Sequence, residues 1–61
     1  MKHTESELRS AIGYHDARAR LYRKMDDAPY ASRFEWKAES LRRELHAMVI
    51  ARQGYAEAVR A

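Results

Sequence analysis

One short break governs what this chain can become. Asp26-Asp27-Ala28-Pro29 is the single place where helical patterning stops. Proline disfavours helical geometry in the residue before it, so Ala28 is expected outside a helix. The paired aspartates suit a turn or a helix start. Pro29 fits the first helical position. Long amphipathic runs flank the break, and a connection this short makes the two helices antiparallel neighbours. The sequence predicts an all-α helical hairpin forming one domain over residues 1–61. Helix 1 spans about 4–25, the turn 26–29, and helix 2 about 29–59.

Helix 1 announces its own start. Thr4-Glu5-Ser6-Glu7 is a capping box, in which the Thr4 oxygen takes the Glu7 amide and Glu7 reaches back. At about 100° per residue, Leu8, Ala11, Ile12, Ala19, Tyr22 and Met25 share a broad face, with Tyr14 and Leu21 at its margin. Arg9, Gly13, Asp16, Arg20 and Arg23 are expected on the opposite face.

Helix 2 carries a longer signal. Phe34, Ala38, Leu41, Leu45, Met48, Arg52, Tyr55 and Val59 step by four and three without a slip, as in a coiled-coil seam. Ser32-Arg33-Phe34-Glu35 offers a second capping box, but a start near Pro29 is preferred. Gly54 is a possible C-cap. The pattern continues past it, so the helix is expected to continue and to overhang helix 1.

A chain of 61 residues is marginal without reinforcement. It has no cysteine, which excludes disulfides and cysteine-based zinc sites and fits a reducing cytoplasm. Idealised helix packing and oligomerisation remain. Each helix shows a wider apolar arc than one partner helix covers. A homodimer forming a four-helix bundle is therefore expected, because a two-fold interface uses one patch twice. The expected oligomer interface is Leu8, Ile12, His15, Tyr22, Phe34, Leu41, Leu45, Met48, Arg52, Tyr55 and Val59.

Three features sit apart from that seam. Trp36 points away from it, on the side of Arg43, Ala47 and Ile50. That side reads as a docking face for a protein partner, or else as a second bundle interface or a cover for the hairpin turn. Arg20, Arg23 and Lys24 point outward together, with Arg9 in line, as a candidate nucleic-acid-binding stripe or a solvated face. Asp16 interrupts the stripe and is expected to pair with Arg20. Arg18, His15 and Arg52 fall inside the apolar faces. Antiparallel packing brings Arg52 opposite Glu5, and Arg18 near Glu39 or a neighbouring subunit. A histidine at position 15 is either hydrogen-bonded in an interface or a means of coupling assembly to pH.

Charge and composition narrow the function. The net charge is +3, a surplus carried by residues 1–25, which permits acidic partners without demanding them. Arginine outnumbers lysine nine to three, as in a GC-rich bacterial or phage genome. The N-terminal stretch is polar, unlike a signal peptide. The longest apolar run, Ala47 to Ala51, is far too short to span a bilayer. His3, His15 and His46 lack the spacing of metal ligands. No nucleophile–base arrangement is legible, so neither catalysis nor a cofactor is expected. The function expected is that of a cytoplasmic adaptor, regulator or inhibitor acting on a protein partner. Nucleic-acid binding through the basic stripe is the alternative.

Overall fold

The computed structural model describes residues 3–60, so the ends of the expected 1–61 domain lie outside the described residues. It contains two helices, α1 (Glu5–Lys24) and α2 (Ala28–Arg60). Among the described residues there is no strand.

The capping box opens α1. Thr4 Oγ1 accepts the Glu7 amide at 3.1 Å, and the Thr4 amide donates to Glu7 Oε1 at 2.8 Å. These bonds satisfy donors that a helix start otherwise leaves orphaned. They also hold the Glu7 carboxyl below the ordinary glutamate range, the backbone bond from Thr4 contributing most.

The end of α1 is a Schellman motif built on an aspartate. The Asp26 amide donates to the Arg23 carbonyl at 3.1 Å, and the Asp27 amide to the Tyr22 carbonyl at 2.8 Å. This motif needs a left-handed residue, usually glycine. Asp26 fills it, with φ of 62°. A side chain in that region carries a steric cost that glycine avoids. Asp26→Gly is therefore expected to raise stability by about 0.5–1 kcal/mol. A urea melt that shows no gain would contradict the strain.

Asp27 then opens α2. Its Oδ1 accepts the Tyr30 amide at 3.4 Å, and its carbonyl accepts the Ala31 amide at 3.0 Å. The expectation that Ala28 lies outside the helix is corrected here, since Ala28 is the first helical residue and Pro29 the second. The steric bias before proline is a preference, and the Asp27 cap outweighs it. The second capping box, at residues 32–35, lies inside α2 and starts nothing. Gly54 has ordinary helical geometry, with no positive φ, so α2 runs straight through it.

Cross-helix ion pairs fix the register. Arg23 meets Glu35 at 2.5–2.6 Å through two parallel bonds. Arg42 binds Asp16, and Arg52 meets Glu5 at 3.2 Å. Residue numbers in these pairs fall along α1 as they rise along α2, as antiparallel packing requires. The same register sets Ala19 level with Ala38. Both are buried, along with Leu8, Ala31 and Leu41.

Arg52 lies level with the first turn of α1. Residues 53–60 of α2 therefore run past the end of α1, by roughly 12 Å at 1.5 Å per residue. The Cα envelope measures 53 × 18 × 14 Å. That is two helices wide and one helix thick.

Candidate interaction surface

A slab one helix thick has two broad faces, and here they differ in chemistry. On one face the helices are tied by charge. Arg23–Glu35 and Asp16–Arg42 cross between them, with Arg9–Glu5 beside them at 3.3 Å. A shallow open groove on this face is lined by Arg9, Arg42, Leu45, His46 and Val49. Arg23 holds the Glu35 carboxyl below its ordinary range through their direct bond.

The other face is aromatic. Tyr22 stacks on Tyr30 and on Phe34, with ring centroids 5.2 and 5.5 Å apart. His15 tilts against Phe34 at 5.8 Å and meets Tyr14 edge-on at 5.3 Å. The Arg18 guanidinium lies over the Tyr14 ring at 5.3 Å. Such contacts favour offset or edge geometry through the ring quadrupole, and cations over ring faces. Tyr14 is 54% exposed, Met25 61% and Tyr30 49%, so this apolar layer stands open.

The residues expected at an oligomer interface divide into three groups. Leu8 and Leu41 are buried between the two helices of one chain. Ile12, His15, Tyr22, Phe34, Leu45 and Met48 are half-buried along the same seam. Arg52 is exposed at the rim, and Tyr55 and Val59 stand exposed on the overhang. His15 is held by its own helix, since Nδ1 donates to the Ala11 carbonyl at 2.7 Å. A carbonyl only accepts, so Nδ1 carries the proton in this bond.

Trp36 is 75% exposed, and Ile50 53%. Helical projection sets them with Arg43 on the edge of α2 turned away from α1, and Ala47 beside them. Arg43 pairs with Glu39 at 3.8 Å along the helix. The expected neighbour of Arg18 is thus engaged elsewhere, and Arg18 turns to Tyr14 instead.

The basic stripe is partly neutralised. Arg9 and Arg23 are ion-paired with Glu5 and Glu35. Among the described residues, Arg20 and Lys24 make no ion pair. The expected Asp16–Arg20 pair is corrected, because Asp16 turns across the slab to Arg42. Asp16 and Arg23 both lie on the flank beside α2, where a cross-helix partner is nearer than the helical neighbour. A wide, single-helix period count assigns them to the outer face and misses this.

Among the described residues no helix is long and apolar enough to cross a membrane. Among the described residues no group of three potential ligands is placed to hold a metal ion. No protein-family model, curated protein or solved structure matches the chain.

Acid should loosen this fold. Glu7 and Glu35 both titrate below the ordinary glutamate value, through bonds from Thr4 and from Arg23. A lowered carboxyl contributes stability above its unfolded value, and that contribution is lost as pH falls through the folded one. The melting temperature is therefore expected to hold from neutral pH down to about pH 5 and to fall below it. Far-UV circular dichroism checks this, and the paired change Glu7→Gln with Glu35→Gln should flatten the acid limb. An acid limb of unchanged steepness in that variant would contradict the assignment.

Proposed function

We propose that this chain is a non-enzymatic helical hairpin that pairs with a second copy into a four-helix bundle and acts in the cytoplasm on a protein partner, as an adaptor, regulator or inhibitor. One observation carries this reading: the slab is one helix thick, and large apolar side chains stand exposed on it. A helical layer normally buries its apolar stripe against another layer. Patches of exposed apolar surface mark interaction sites. The outer edge of α2 supplies a separate anchor, with Trp36 and Ile50 flanked by the small Ala47 and by Arg43. Tryptophan and arginine are favoured anchors in protein interfaces.

Sedimentation equilibrium tests the first half, with a dimer expected at micromolar concentration. Trp36→Ala tests the second. It is expected to leave helicity and self-association unchanged while abolishing capture of a partner from nuclease-treated host lysate. Loss of helicity or of self-association in that variant would assign Trp36 to the bundle instead.

A nucleic-acid reading draws on Arg20 and Lys24, which stand outward without an ion pair among the described residues. Phosphate binding would weaken steeply with salt and disappear on changing Arg20 and Lys24 to glutamate. Apolar docking at Trp36 would do neither.

A further inference from the structure

Resting on the self-association proposed above, we infer that the second copy seats on the aromatic face, with both hairpin turns at the same end of the bundle. This arrangement places α1 of one copy against α2 of the other and brings the two overhanging ends of α2 side by side.

The face has the right extent. It is about 30 Å long, the length of α1 at 1.5 Å per residue, and 18 Å wide. That projects to on the order of 500 Å², and a corrugated surface exceeds its projection, approaching the roughly 800 Å² per partner of a stable complex. The ionic face is a poorer candidate, because its cross-helix ion pairs are already satisfied within the chain and would be desolvated.

Charge selects the orientation. Helical projection sets Arg18 and Glu44 on the aromatic flank, and neither makes an ion pair among the described residues. With the turns together, the register sets Arg18 level with residue 40 of the other copy. Its neighbours there are Lys37 on one side and Glu44 on the other. Helical side chains lean toward their own N-terminus. Arg18 leans toward Tyr14, as its contact with that ring shows, and so toward Glu44. Glu44 leans to meet it, and Lys37 leans away. The opposite orientation places Arg18 close to its own symmetry mate, where like charges repel.

The overhang points the same way. Tyr55 and Val59 are 74% and 67% exposed. They continue the stripe of Leu41 and Met48 past the end of α1. With the turns together, two such stripes meet as a short parallel pair. With the turns apart, they lie at opposite ends of the bundle.

Cross-linking tests the arrangement directly. The chain has no cysteine, so Val59→Cys gives one thiol at an exposed site. A short bismaleimide is expected to convert most of this variant to covalent dimer, and to leave Trp36→Cys monomeric under the same conditions. Arg18→Glu and Glu44→Arg are each expected to weaken self-association by about tenfold or more. Mixing the two should restore it as a heterodimer, since each then meets an opposite charge. A dimeric wild type whose Val59→Cys variant does not cross-link, or whose charge variants fail to complement, overturns the orientation and leaves self-association standing. A wild type that sediments as a monomer overturns both.

Discussion

Leu8→Ala is expected to cost about 2–5 kcal/mol, the range for truncating a buried leucine that leaves a cavity. Leu8 is 1% exposed, the largest fully enclosed side chain among the described residues. The register sets it level with Val49, near the free end of the hairpin. Among the described residues the one cross-helix ion pair there is Arg52–Glu5 at 3.2 Å, whose arginine is exposed. Exposed pairs contribute little, on the order of 0–1 kcal/mol. Leu8 therefore holds this end closed. A domain of this size has roughly 3–9 kcal/mol of stability at 0.05–0.15 kcal/mol per residue. The substitution should remove a large share of it and fray the first turns of α1. Urea melts followed by circular dichroism measure the loss, with Ile50→Ala as the comparison. Ile50 is 53% exposed on the outer side of α2, so its truncation should cost far less. Equal losses at the two positions would mean that the register is wrong.

The Thr4 capping box and the stepping of α2 translate directly into structure, whereas the box at residues 32–35 and the bias before Pro29 do not. Thr4 and Glu7 lie three residues apart before an apolar run, and a capping box is a contact within one turn. Nothing distant can alter it. The four-three stepping of α2 is likewise a property of one helix. Glu5 with Arg52 follows from antiparallel register alone, because the short turn fixes which residues come level. What the sequence conceals is set by the second helix. Asp16 has a well-spaced local partner in Arg20, yet it reaches Arg42, because its azimuth faces the flank of α2. Asp26 conceals a left-handed residue, since the usual glycine signal is absent and only the amide bonds of Asp26 and Asp27 reveal the motif.

The division between an ionic and an aromatic face is concealed for the same reason. Single-helix projection groups residues by hydrophobicity about one axis. Two axes side by side divide each helix surface into four parts: the seam, one flank on either side, and an outer edge. Arg18 lies on the aromatic flank and Arg23 on the ionic one, only five positions apart in α1. One covers a tyrosine ring and the other pairs with a glutamate. Counting Arg9, Arg20, Arg23 and Lys24 as a single stripe merges two residues that the fold pairs with glutamates and two that make no ion pair among the described residues.

The alanines of the seam give the second large effect. Ala31 and Ala38 are fully buried and Ala19 is 4% exposed. Ala19 and Ala38 are level with one another, so two methyl groups face across the seam there. Small side chains at a crossing allow short interaxial distances, toward the lower part of the 8–10 Å range. Ala38→Leu places a branched side chain where no space exists. Overpacking of this kind costs about 1–3 kcal/mol. The added volume must push the helices apart, and that stretches Arg23–Glu35 and Asp16–Arg42, which lie on either side of the crossing. Chemical denaturation should show the loss. Adding Ala19→Gly should recover part of it by returning volume at the crossing, against a helix-propensity cost of about 1 kcal/mol. Ala47→Leu, on the exposed side of α2, is the control and should leave stability nearly unchanged. If Ala38→Leu proved as harmless as that control, the close alanine crossing would have to be abandoned, and with it the register that the ion pairs define.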